Sequence, residues 1–146
     1  MTVHATAIAH RSVSGWRAVV LFGPSGAGKS DLALRMIRDP AWRLVGDDRL
    51  HLWRSGEGLY AAPAKRLAGI LEVRHIGLMA VPHLVAAQVG LIVRCETPTE
   101  RLPEPDTQIV HGVSIPRVVL EATDVSTPDR IRQTLTGIEA RSWLEP

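Results

Sequence analysis

The eight residues Gly23 to Ser30, GPSGAGKS, constrain this chain more than any other stretch. They satisfy G-x-x-x-x-G-K-[ST] at Gly23, Gly28, Lys29 and Ser30, behind the apolar run Ala18-Val19-Val20-Leu21-Phe22 and ahead of a helical pattern. Strand, glycine loop and helix in that order make a phosphate-binding P-loop. Glycines let the backbone wrap closely enough for successive N–H groups to face an anion, and the new helix adds its unpaired N–H groups and positive dipole end. Gly23, Pro24, Ser25, Gly26, Ala27, Gly28, Lys29 and Ser30 are therefore the expected nucleotide cradle. Lys29 would reach the β- and γ-phosphates of ATP, and the Ser30 hydroxyl would ligate Mg²⁺. Of seventeen Lys plus Arg only Lys29 and Lys65 are lysines, so a lysine at this position is no product of a lysine-rich composition.

With 146 residues the chain holds one domain with a real core, expected to span residues 1–146. The formal charge of +2 is small and the arginines are scattered, which does not suggest nucleic acid as a partner. No apolar run approaches a membrane span and no signal-peptide core stands at the N-terminus, so no membrane is expected and the cytoplasm is the default compartment. The one cysteine, Cys95, excludes an internal disulfide and a Cys-based zinc cluster; it reads as a small core residue.

Taken in order, Val3 to Ala9 predicts a strand bearing His4 near its start, joined through a turn at Ser12 to Gly15 to the P-loop strand from Ala18 as a hairpin neighbour. Ser30 to Arg38 places Leu32, Ala33, Met36 and Ile37 on one face of an amphipathic helix ending at Asp39-Pro40. Trp42 to Gly46 is a short strand delivering Asp47 and Asp48 at its end, on what is expected to be the parallel strand adjacent to the P-loop strand. Strand ends of such sheets line the ligand crevice, so one carboxylate can hold Mg²⁺ while the other takes a proton from an attacking hydroxyl. Arg49 to Trp53 and Leu59 to Ala62 predict a hairpin decorating the domain, and Lys65 to Ile70 a short helical turn. In Leu71 to Val81, Glu72 and Arg74 would share one face of a strand. Val89 to Cys95 is a central strand, Thr97 to Asp106 a proline-rich loop suited to a lid or partner surface, and Ile109 to Val119 one or two strands broken at Gly112 and Pro116. Thr127-Pro128-Asp129 starts a helix expected through about Trp143, with Ile131, Leu135 and Ile138 inward.

VHATA at 3–7, GPSGAGKSD at 23–31, RLVGDDR at 43–49, LEVRHIGL at 71–78, ERLPE at 100–104 and GVSIPRVVL at 112–120 resemble, in order, the blocks of the catalytic domain of bacterial HPr kinase/phosphorylase. The resemblance implies an α/β fold: a P-loop kinase domain of the HPr kinase and phosphoenolpyruvate carboxykinase-like type, a mixed sheet flanked by helices. It implies an ATP-dependent protein-serine kinase acting on HPr, the phosphocarrier of the sugar phosphotransferase system, with phosphorolytic dephosphorylation as the reverse activity. It implies that His4 is an active-site histidine, that Lys29 and Ser30 bind phosphates and Mg²⁺, that Glu72 is a second Mg²⁺ ligand, and that Arg101 is the catalytic arginine. One of Asp47 and Asp48 would be the base, with Asp48 favoured and Asp47 left toward the metal. Asp31 stands where the family usually has Glu, and His75 where it has Gly. The family's N-terminal domain has no counterpart here, nor after Leu120 has its arginine-glycine block tied to dephosphorylation and oligomer contacts, which counts against phosphorolysis and a hexamer more than against the kinase direction; a homo-oligomer stays open. Two other readings stay in play: a nonenzymatic nucleotide-sensing module and a P-loop kinase of a small metabolite. A GTPase is disfavoured because no N-K-x-D motif is present.

Overall fold

Small and large apolar residues alternate along neighbouring strands, and that alternation decides how the sheet is covered. The structure is a computed structural model that describes residues 2–143. Its strands are β1 Thr2–His4, β2 Thr6–Ser12, β3 Gly15–Phe22, β4 Trp42–Gly46, β5 Arg49–Ser55, β6 Gly58–Pro63, β7 Ile70–Val73, β8 Gly77–Ala80, β9 Ala87–Cys95, β10 Asp106–Val110 and β11 Val113–Leu120. The helices are α1 Lys29–Ile37 and α2 Thr127–Glu139, with a short 3₁₀ turn at Lys65–Leu67. Nine strands form one mixed sheet in the order β1-β5-β6-β9-β3-β2-β4, with β11 on the distal half of β9 and β10 outside it; β7 and β8 make a separate hairpin. This is the α/β arrangement expected, a mixed sheet with helices against it.

One face carries Ala5, Ala7, Ala9, Ala18, Val20, Ala61 and Ala87 against Leu50, Leu52, Leu59 and Ile115. Small residues are needed there because the sheet curls over its own face, leaving little depth. The opposite face carries Ile8, Val19, Leu21, Leu44, Leu91 and Val93, which receive Leu32, Ala33 and Met36 of α1 and Ile131 and Leu135 of α2. Leu32, Met36 and Ile131 are wholly buried, each contributing about 1.5–3 kcal/mol of hydrophobic transfer energy. Between β3 and β9 the register skips Gly90, so Ala18 faces Val89 and Val19 faces Leu91. That shift keeps both faces apolar along β9.

Several expectations need correction. β4 runs in the same direction as β3 but is not adjacent to it: β2 lies between them, antiparallel to both. The two-residue turn at Val13-Ser14 folds β2 back onto β3, and β2 occupies that edge. β5 and β6 are not a decoration, since Tyr60 and Ala61 pair with Gln88 and Ala87 and make the hairpin a wall of the main sheet. Residues 71–81 turn at Arg74 to Ile76, with His75 at φ 69° and Ile76 N–H bonded to Val73 O at 2.9 Å. Glu72 and Arg74 therefore share no strand face, and no ion pair joins them among the described residues. Pro116 does not break β11; it stands just before pairing with β9 begins at Arg117. α2 ends at Glu139, short of Trp143, because Arg141 turns left-handed (φ 53°) and Ser142 N–H closes onto Gly137 O at 2.8 Å.

β4 ends against the wall at Gly46, where an added Cβ would come within 2.6 Å of Leu50 Cδ2 and 3.0 Å of Pro63 Cα. Only a residue without a side chain fits. Gly46→Ala is expected to destabilise the fold by about 1–3 kcal/mol through overpacking, read as a lower urea midpoint at unchanged slope.

Candidate active site

Because β2 reverses direction between them, β3 and β4 end on the same side of the sheet, and β9 and β11, parallel to β3, end there too. The P-loop, Asp47-Asp48 and the segments after Cys95 and Leu120 all leave from that edge. Carboxyl ends of strands are where an α/β sheet opens a ligand crevice.

Gly28 takes φ 97° and is the N-cap of α1, a left-handed position that glycine occupies without strain. A Cβ there would stand 3.2 Å from Thr123 Cγ2, so the loop is seated against the segment after β11. Lys29 follows, and its ammonium is folded under the loop, donating to Gly23 O at 2.6 Å and Pro24 O at 3.0 Å. The residue is only 7% exposed, and among the described residues no carboxylate pairs with it. A buried cation held by carbonyl dipoles alone, beside free helix N–H groups, makes an electropositive pocket that fits a polyphosphate.

Asp47 is 4% exposed and accepts three hydrogen bonds. Ser30 Oγ and Thr6 Oγ1 both donate to Oδ1 at 2.8 Å, and the Glu72 backbone N–H donates to Oδ2 at 3.1 Å. Asp48 points the other way. Its φ of 67° and the 2.7 Å bond from Arg49 N–H to Asp47 O turn the chain sharply, leaving the Asp48 carboxylate in solvent, 3.2 Å from His4 Nδ1. The backbone there has the i to i+2 bond and positive φ of the rare γ-turn, a strained conformation for a non-glycine residue. The two neighbouring acids are thereby separated into one buried and one exposed.

The donor set fits Mg²⁺ better than a transition metal. Ser30 and Asp47 offer hard oxygens, and Mg²⁺ is commonly held by one or two protein oxygens, substrate phosphates and water. No group of three or more His, Cys, Asp or Glu that could hold a metal occurs among the described residues. Cys95, at the end of β9, is buried; burial pushes its thiol up to about 11 against the opposing pull of the Lys29 charge. It is a packed thiol and not a nucleophile at neutral pH.

The predicted residues thus fall into groups. His4 meets Asp48, Ser30 meets Asp47, and Lys29 lies within its own loop. Glu72 reaches the cluster through its backbone, while its carboxylate is exposed. Arg101 is exposed on the loop between β9 and β10, lining an open groove with Arg117 and Gln133, and among the described residues it makes no ion pair with either aspartate. Thr6, a buried hydroxyl on the very oxygen that Ser30 uses, was not predicted from the sequence; only its place two residues after His4 hinted at it.

The model of the HPr serine kinase C-terminal domain matches residues 12–123. The chain is 35% identical over 114 residues to an HPr kinase/phosphorylase of Limosilactobacillus reuteri, covering 68% of this chain and 35% of that protein. A Streptococcus thermophilus HPr kinase/phosphorylase is likewise 35% identical over 114 residues, 68% of this chain and 37% of its own. The chain therefore spans about a third of the length of the curated relatives it matches. Among solved structures, the HPr(Ser) kinase/phosphatase from Coxiella burnetii superposes with a TM-score of 0.80 at 21% identity over 97% of each chain, a likeness of fold. A phosphate-binding loop, paired aspartates beyond the next strand and a family match over most of the chain lead to one placement: this chain belongs to the HPr serine kinase C-terminal domain family.

Proposed function

We propose that the chain works as one P-loop kinase domain in the cytoplasm, transferring the γ-phosphoryl group of ATP to a serine of HPr. The observation that carries this reading is the division of the Asp47-Asp48 pair beside a buried, carboxylate-free Lys29. A nucleotide module without turnover has no use for a second, strained and solvent-facing carboxylate gripped by a histidine. Transfer needs such a group.

In the proposed reaction Lys29 leaves the Gly23 and Pro24 carbonyls for the β- and γ-phosphate oxygens, joined by the loop N–H groups and the start of α1. Mg²⁺, when bound, would neutralise charge developing on the phosphates; Ser30 and Asp47 would hold it, with the Glu72 carboxylate completing the set. Asp48 accepts the proton of the attacking serine hydroxyl as its oxygen bonds to the γ-phosphorus and the bond to the ADP oxygen breaks. His4 keeps the Asp48 carboxylate turned toward the acceptor. Arg101 would serve the transferring group from the loop after β9. Phosphate-driven removal of the same group would use Asp48 as acid and base in reverse, and a homo-oligomer is compatible with this scheme.

Purified chain mixed with ATP, Mg²⁺ and HPr is expected to yield phosphoserine on HPr, detected by mass spectrometry. Lys29→Ala is expected to abolish the product together with nucleotide binding. Binding of nucleotide without any phosphoserine would instead identify a sensing module.

Asp48→Asn removes the base while keeping the shape, so transfer is expected to fall by about 10²–10⁴ with ATP affinity little changed. Near-normal transfer by that variant would refute the base assignment. His4→Ala should slow transfer less than Asp48→Asn and, in the Asp48→Asn background, should add nothing further.

A further inference from the structure

Thr6 is 1% exposed, at the start of β2, where the buried Ala7, Ile8 and Ala9 follow it. A valine would fill that position with the same shape and no polar group to satisfy. Burying a hydroxyl is unfavourable unless it is bonded, and this one has a single side-chain partner, Asp47 Oδ1 at 2.8 Å. Thr6 pairs with Leu21, one residue before the P-loop strand ends, and β2 shifts register against β4 just beyond it, between Ala7 and Ile8. The hydroxyl therefore stands between the strand that feeds the phosphate loop and the strand that feeds the acids.

Oδ1 takes two hydroxyls and Oδ2 one N–H, so the carboxylate is held from both ends. Ser30 has one proton, and it is committed to Asp47; its oxygen lone pairs are then left for a cation. That arrangement lasts only while Asp47 keeps its orientation, and a carboxylate torsion is intrinsically soft. Thr6 supplies the one donor to Oδ1 that does not itself bind the metal.

Resting on the reading of Ser30 and Asp47 as the Mg²⁺ site, we propose that Thr6 is a positioning residue for that site: through Asp47 it fixes the direction in which Ser30 presents its oxygen to the metal bound with the nucleotide. Thr6 touches neither metal nor phosphate. Its effect is confined to the part of nucleotide affinity that Mg²⁺ provides.

The test is calorimetric titration of the whole chain with ATP, once in Mg²⁺ and once in EDTA. Thr6→Val is expected to weaken binding in Mg²⁺ by about 10- to 100-fold, as loss of a group supporting a metal ligand does, while binding in EDTA stays at the wild-type value. Thr6→Ser, which keeps the hydroxyl, is expected to behave as wild type. In an Asp47→Asn background Thr6→Val should add nothing. The proposal is overturned if Thr6→Val binds as wild type in Mg²⁺, if it loses as much affinity in EDTA, if Thr6→Ser is equally impaired, or if the effect persists without Asp47. Should Thr6→Val not fold, Thr6→Ala compared with Thr6→Ser separates the same outcomes. Failure of the wild-type chain to bind ATP in either buffer would sink the nucleotide reading itself, an outcome distinct from all of these.

Discussion

A buried carboxylate must be satisfied where it stands, and Asp47 draws its donors from three distant places. Thr6 lies 41 residues before it, Ser30 17 before it and Glu72 25 after it. One side chain thus joins β2, the start of α1, the end of β4 and β7. Hydrogen bonds to a charged group are worth about 1.5–3 kcal/mol each, and a buried acceptor left unmet costs a similar amount. Those bonds hold β4 in place at its site end, and with it the turn that follows.

The turn that follows holds Asp48 at a positive φ. Two adjacent carboxylates repel, so a chain that carries them gains by pointing them apart. The positive φ at Asp48, a strain of about 1–3 kcal/mol, accompanies one carboxylate facing inward and one out. Asp47 then serves the loop and Asp48 the open side with His4. The strain persists because the Ala5 N–H binds Asp48 O at 3.2 Å and Gly46 is wedged against Pro63, so the chain is gripped before and after the turn.

Local structure was legible in the sequence and strand pairing was not. The P-loop, α1, β4, β9 and the turn at Ser12 to Gly15 follow from glycine placement and apolar period, signals contained within a dozen residues. The position of β4 two places from β3 depends on which of two locally reasonable neighbours takes the β3 edge, a choice no single segment contains. The hairpin 49–63 looked peripheral because only its register with β9 makes it central. The turn at Arg74 to Ile76 holds no proline, asparagine or aspartate to announce it. Thr6 was invisible for the same reason: a threonine in a strand is unremarkable until its partner, 41 residues away, is known.

The resting place of Lys29 bears on why such a site can be both stable and ready. An ammonium this deep would ordinarily need a carboxylate, yet among the described residues none pairs with it; Asp47 is taken by three donors and Asp48 lies beside His4. A strong ion pair with either would have to break before phosphate could bind, and a buried pair broken on one side is costly. Carbonyl dipoles satisfy the cation more weakly, so on the proposed reading the exchange of Gly23 O and Pro24 O for phosphate oxygens would break no ion pair. The three bonds that Asp47 takes from Thr6, Ser30 and the Glu72 N–H thus tie the strands together, while Lys29 is satisfied separately by carbonyls of its own loop.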